Sequence, residues 1–128
     1  MADPVKILLA EDDRFLRRAA EATLKKKGYA VVTAADGQEA LDAARRERPD
    51  LILLDVIMPR LHGFEVLERL KAAPETRAIP VVMLSNLGQD TDQAHALQQG
   101  AVAYLVKANV GLADLARHVA DILAKVPG

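Results

Sequence analysis

The stretch LILLDVIMP, residues 51–59, places a carboxylate at the end of an apolar run. Its four leading residues predict a strand buried on both faces, as central strands of parallel sheets are. The run ends at Asp55, and Pro59 follows. A carboxylate beside a buried strand is costly to desolvate unless it has polar partners or a chemical role. Asp55 is therefore the first candidate for a functional residue.

Strand and helix patterns alternate five times along the chain. Apolar runs predict strands at residues 6–10, 29–34, 51–56, 79–85 and 102–107, and helical spacing of apolar residues follows each run. Gly28 and Gly100 are predicted helix stops, and Asp36 with Glu39 has the spacing of a capping box. The alternation predicts one α/β domain, a doubly wound (βα)5 unit whose parallel sheet carries helices on both faces.

Composition and charge exclude several classes of protein. The chain of 128 residues is 51% hydrophobic with a formal net charge of -1, which gives no electrostatic basis for binding nucleic acid or a membrane surface. It has no cysteine, and its three histidines lack zinc-site spacing. No apolar run approaches the ~20 residues that span a bilayer. The N-terminus does not resemble a signal peptide, so we expect a cytoplasmic protein.

Polar side chains follow four of the predicted strands. Glu11 and Asp12 follow the first strand, Asp55 ends the third, Ser85 ends the fourth and Lys107 ends the fifth. In parallel sheets ligands bind at the carboxyl ends of the strands, so we expect these residues to converge. Clustered carboxylates raise one another's pKa values, and Mg²⁺ would relieve that repulsion. A carboxylate beside Mg²⁺ and a lysine can act as a nucleophile toward phosphorus and form an acyl phosphate.

Each of these residues also has a structural interpretation. Either Asp12 or Asp13 fits the cap of the first helix, and Asp13 is the predicted one. Asp55 taken alone fits a turn former, and Ser85 or Lys107 taken alone fits a structural residue. Their convergence on one edge of the sheet favours a functional site.

The sequence resembles the receiver domains of two-component response regulators, the chemotaxis regulator among them. The motifs ILLAEDD, LILLDVIMPRLHGFEVL, IPVVMLS and GAVAYLVK carry the resemblance over nearly the whole chain. It implies the strand order 2-1-3-4-5. It also implies one receiver domain over residues 1–128, with residues 125–128 as a tail or the start of a linker. The protein is then either a single-domain regulator or a receiver from a longer one.

The resemblance also implies roles for individual residues. Asp55 accepts a phosphoryl group from a sensor histidine kinase or phosphotransfer protein, and Lys107 contacts that group. Mg²⁺ is held by Asp12, by Glu11 through water, by Asp55 and by the backbone carbonyl of Ile57.

The resemblance further implies a conformational switch. Ser85 supplies the switch hydroxyl and Tyr104 the switch aromatic ring. The face formed by the fourth helix, fifth strand and fifth helix binds a downstream effector or mediates homodimerisation. The protein is expected to be a switch rather than an enzyme, with Mg²⁺-dependent self-phosphorylation and self-dephosphorylation as its only reactions.

Three positions depart from the family pattern. Ala108 stands where proline usually follows the lysine, so we expect a trans Lys107–Ala108 bond. Ile57 and Leu87 are apolar at positions that flank the phosphorylation site. We expect them to hinder the attacking water and slow self-dephosphorylation.

Two alternative functions are open to the sequence. Phosphatases of the haloacid dehalogenase type also use an aspartate after a parallel strand, but they need a second aspartate two residues later, where this chain has Ile57. A pseudo-receiver is a binding module of the same fold that is never phosphorylated. Such modules usually lack a key residue, whereas this chain has all of them.

Overall fold

The computed structural model describes residues 3–85 and 90–125, which form five strands and five helices in strict alternation. The elements are β1 (Lys6–Ala10), α1 (Arg14–Lys26), β2 (Ala30–Ala34), α2 (Gly37–Glu47), β3 (Leu51–Asp55), α3 (Gly63–Ala72), β4 (Val81–Ser85), α4 (Asp90–Gln98), β5 (Ala103–Val106) and α5 (Leu112–Lys125). A single 3-10 turn, Lys107–Asn109, follows β5. The predicted (βα)5 alternation is confirmed.

All five strands are parallel and lie in the order β2-β1-β3-β4-β5, as the resemblance implied. The register aligns their carboxyl ends. Ala10 pairs with Leu54, Asp55 with Leu84, and Ser85 with Val106. The polar residues that end or follow these strands therefore share one edge of the sheet.

The sheet has a separate hydrophobic layer on each face. Ile52 and Leu54 point into the layer beneath α2, α3 and α4, whereas Leu51 and Leu53 point into the layer beneath α1 and α5. All four side chains are fully buried, which confirms that β3 is covered on both faces. Burying each such leucine or isoleucine side chain contributes about 1.5–3 kcal/mol, so β3 is a rigid support for Asp55.

Local signals in the sequence set the helix ends. The Asp13 carboxylate caps α1 by accepting a hydrogen bond from the Leu16 amide, and Asp36 caps α2 by accepting one from the Glu39 amide. The Glu39 carboxylate accepts a hydrogen bond from Ala35 at 3.4 Å, one residue before the position predicted for the capping box. Gly28 and Gly100 stop their helices with φ of 96° and 105°, values that glycine adopts without strain.

Four strands are shorter than predicted: β3 ends at Asp55 rather than at residue 56, and outer residues of β2, β4 and β5 form other contacts. The Tyr29 amide donates to Leu24 at the end of α1, and the Ile79 amide donates to Thr76 in a turn. Lys107 begins the 3-10 turn instead of extending β5.

Within residues 3–85 and 90–125, no helix combines the length and apolar character that a bilayer crossing requires. Lys125 is the last residue of α5, and residues 126–128 of the predicted tail lie outside the described part of the chain.

Candidate functional site

Asp55 is held at the end of β3 by a loop that folds back on its own strand. The Gly63 amide donates to the Val56 carbonyl at 2.8 Å, and a Cβ at position 63 would lie 2.3 Å from the Asp55 carbonyl oxygen. Only glycine fits so close to the backbone. The Asp55 side chain is buried, and its Oδ1 accepts a hydrogen bond from the Ile57 amide at 3.2 Å.

Lys107 joins the two buried carboxylates of the site. Its Nζ donates to Asp55 Oδ2 at 2.8 Å and also to Glu11 Oε1. The lysine side chain is only 17% exposed, so water screens these ion pairs weakly. The structure thus brings together residues at the carboxyl ends of β1, β3 and β5, as the sequence predicted.

Charge is unevenly balanced at this site. Burial, followed by the nearby Asp55 carboxylate, raises the pKa of Glu11, and the hydrogen bonds from Lys107 and from the Asp13 amide oppose that rise only in part. Burial would lower the pKa of Lys107, but its bonds to Asp55 and Glu11 outweigh burial and raise the pKa. A single ammonium group therefore forms ion pairs with two buried carboxyl groups.

The acidic residues at this edge fit a divalent cation. Carboxylate oxygens of Glu11, Asp12 and Asp55 all lie within 4.8 Å of one another. Glu11 and Asp55 are buried, whereas Asp12 is exposed at the rim. Hard oxygen donors open to water on one side suit Mg²⁺, which keeps several waters when bound. Burial is the main cause of the raised pKa of Glu11, and the neighbouring Asp55 carboxylate adds to it, as expected where two acids share one site.

Ser85 and Tyr104 occupy the positions expected of switch residues. Ser85 is fully buried at the end of β4 and lines the same pocket as Asp55 and Lys107. Tyr104 is on β5, where it pairs with Met83 of β4. Its side chain is partly buried against the layer beneath α2, α3 and α4. Their switching roles remain predictions.

Other sequence predictions have mixed outcomes. All peptide bonds in the described ranges are trans, including the one before Ala108. Ile57 lines the pocket with its side chain 52% exposed, and Leu87 lies outside the described residues. Leu16 and Leu112 fall by spacing on the apolar stripes of their helices, which predicts that they face inward, yet each is 40% exposed. They lie in the first turns of α1 and α5 and line one pocket together with Glu11 and Lys107.

Sequence reasoning missed two features near the site. Phe15, which closely follows the acidic residues 11–13 in the chain, is 81% exposed. Its position off the apolar stripe of α1 was the sequence pattern that could have indicated this exposure. Arg60 pairs with Asp36, 24 positions away in the chain, and no local pattern indicates such a contact.

Comparison with known proteins gives the class to which this fold and site belong. Residues 7–120 match the model of the response regulator receiver domain, and the chain belongs to that family. The chain is 40% identical over 118 residues to a gliding motility regulatory protein of Myxococcus xanthus, covering 92% of this chain and 15% of that protein. It is 44% identical over 102 residues to the probable transcriptional regulator ycf27 of Cyanophora paradoxa, covering 80% of this chain and 41% of that protein.

A solved structure supports the same assignment. The chemotaxis response regulator CheY4 of Vibrio cholerae superposes with a TM-score of 0.87 at 31% identity, covering 94% of this chain and 99% of that one. By contrast, the chain spans less than half the length of the two curated relatives named above.

Proposed function

We propose that this protein is a phosphorylation-dependent switch of a two-component signalling system and that Asp55 is its phosphoacceptor. One observation carries the proposal. Asp55 is a buried carboxylate bonded to Lys107 at 2.8 Å, and two further carboxylates offer oxygen atoms within 4.8 Å. This combination supplies a nucleophile, a fixed positive charge and a cation site at one point.

The chemistry is transfer of a phosphoryl group to a carboxylate. An Asp55 oxygen forms a bond to phosphorus while the bond between phosphorus and the imidazole nitrogen of a phosphohistidine breaks, and the electron pair leaves with that nitrogen. Lys107 offsets negative charge on the transferred group. Mg²⁺ held by Glu11, Asp12, Asp55 and the Ile57 carbonyl would offset the remaining charge on the phosphoryl oxygens.

The proposed donor is a sensor histidine kinase or a phosphotransfer protein, in the cytoplasm. Known relatives include a probable transcriptional regulator and a motility regulator, so an output through a downstream effector is the natural extension to this chain. We assign the output to the α4–β5–α5 face. Leu97 on α4 and Val102 before β5 expose apolar side chains there, at 51% and 44%.

Incubation with acetyl phosphate and Mg²⁺, followed by intact mass, tests the proposal. We expect a mass gain of one phosphoryl group that Asp55→Asn abolishes. Asp42→Asn is the matched control, because Asp42 is an exposed aspartate on α2. Continuous hydrolysis of phosphomonoesters would indicate an enzyme, and no mass gain would indicate a binding module. Either result contradicts the proposal.

A further inference from the structure

The loop between β3 and α3, residues 56–62, is fastened to the start of α2 as well as to the site. At its first end, the Ile57 amide donates to the Asp55 carboxylate at 3.2 Å. At its middle, the Pro59 carbonyl accepts a hydrogen bond from the Gly37 amide at 3.3 Å. The same loop would supply the Ile57 carbonyl to the cation. Its position therefore bears directly on the site.

Arg60 holds the sharpest bend of this loop in an unfavourable conformation. Its φ is 70°, in the left-handed region that non-glycine residues avoid. The Leu61 amide donates to the Pro59 carbonyl at 2.8 Å across it, which closes a three-residue turn of the γ type. Such a turn persists only where surrounding contacts hold it.

An ion pair supplies one of those contacts. Arg60 Nη1 lies 3.3 Å from Asp36 Oδ2. The other oxygen of Asp36, Oδ1, caps α2 by accepting from the Glu39 amide at 2.8 Å. The Asp36 side chain is 10% exposed and is held in place by the cap. The Arg60 guanidinium therefore pairs with a carboxylate whose position is already fixed.

Close backbone contact supplies the other. A Cβ at position 37 would lie 1.9 Å from the Leu61 carbonyl oxygen, so Gly37 lets the loop seat directly on the helix. Leu61 itself is buried in the layer beneath α2, α3 and α4. The turn therefore has little room to shift.

We propose that Asp36, Gly37 and Arg60 form a clasp that positions residues 56–61, and through them Ile57, for Mg²⁺ binding and phosphoryl transfer at Asp55. The three are positioning residues, since none touches the reacting atoms. This inference rests on the proposed function.

The decisive variants are Asp36→Asn and Arg60→Gln. Asparagine keeps an oxygen that caps α2 and removes the charge that holds Arg60. Mg²⁺ is titrated without any phosphodonor and binding is followed by amide chemical shifts. In each variant the Mg²⁺ concentration at half-saturation should rise about tenfold, which is the lower end of the loss in metal affinity expected when a residue that orients a metal ligand is replaced. The double variant should be no worse than either single one, because both remove the same contact.

A second readout needs no metal. In the metal-free protein, hydrogen exchange at the Ile57 and Gly37 amides should accelerate in both variants. Asp42→Asn, an exposed aspartate on the same helix, is the control and should change neither exchange nor Mg²⁺ affinity. Gly37→Ala should give a larger effect than the charge variants. If that variant does not fold, Asp36→Asn and Arg60→Gln alone decide the outcome.

The results separate the clasp from the proposed function. Wild-type protein that binds Mg²⁺ and gains a phosphoryl group, with variants that bind Mg²⁺ equally well, overturns the clasp alone. Variants that lose folding stability with unchanged Mg²⁺ affinity also overturn it, because the contact would then be merely structural. Wild-type protein that is never phosphorylated overturns the proposed function, while the exchange measurements and Mg²⁺ titrations still decide whether the clasp positions the loop.

Discussion

The ammonium group of Lys107 lies 2.8 Å from Oδ2 of Asp55, although the two residues are 52 positions apart in the chain. β4 lies between their strands, so the lysine side chain reaches across one strand to bond the carboxylate. The same nitrogen also bonds Glu11. A single side chain therefore determines how much negative charge the site carries before a cation or phosphoryl group arrives.

Replacing Lys107 with methionine should destabilise the metal-free protein. The change leaves the Glu11 and Asp55 carboxylates buried without a counter-charge, at a cost of about 2 kcal/mol, below the ~3–5 kcal/mol for a fully buried pair. Urea unfolding measures this cost, and added Mg²⁺ should recover part of it by binding the folded state. Lys25→Met, at an exposed lysine of α1, is the control. Equal losses in the two variants would rule out the electrostatic explanation.

The raised pKa of Glu11 makes stability depend on pH. The folded state holds this proton more tightly than the unfolded chain does, so metal-free stability falls as pH rises above 4.5, the ordinary value for glutamate, until Glu11 ionises in the folded state. Glu11→Gln cannot ionise and should lack this decline. The free energy of unfolding, measured in urea from pH 4.5 upward, should drop in the wild type relative to the variant. Parallel curves would count against a raised pKa.

Ile57 should protect the phosphorylated protein from water. Its apolar side chain is half exposed and lines the pocket beside Asp55. Ile57→Asn should admit the attacking water and shorten the lifetime of the phosphoryl group on the order of tenfold, equivalent to about 1.4 kcal/mol in activation free energy. Decay of the phosphorylated mass after removal of the donor gives the rate. Leu97→Asn, another exposed apolar position, should leave the lifetime unchanged, and an unaltered lifetime in Ile57→Asn would exclude this role.

Phosphorylation should change the face that includes β5. A phosphoryl oxygen would accept a hydrogen bond from Ser85, and movement there would open space that Tyr104 can fill, since a void loses packing contacts. Beryllofluoride mimics the phosphoryl group, and NMR shift changes should spread from Asp55 to residues 85–107. Ser85→Ala should confine them near Asp55. Changes concentrated on α2 and α3 in the wild type would contradict this route.

The sheet and the central part of the site were predictable because their signals are local. Leu51–Leu54 is apolar throughout, so its burial on both faces follows from composition, and parallel topology then brings Glu11, Asp55 and Lys107 to one edge. The exposure of Leu16 was not predictable, because helical periodicity does not show that the first turn of a helix borders an open pocket. The Arg60–Asp36 pair depends on tertiary packing and on a left-handed residue that no local pattern marks.

The absence of a side chain at Gly63 affects the direction in which a structural change at Asp55 can spread. With no slack between this residue and the Asp55 carbonyl, the start of α3 and the end of β3 behave as one stiff joint. The backbone at Asp55 therefore has no room to move toward the start of α3. On the same face of the sheet, α4 buries Ala96 but leaves the neighbouring Leu97 half exposed. We therefore expect a structural change at the carboxylate to pass toward α4 and β5 rather than toward α3.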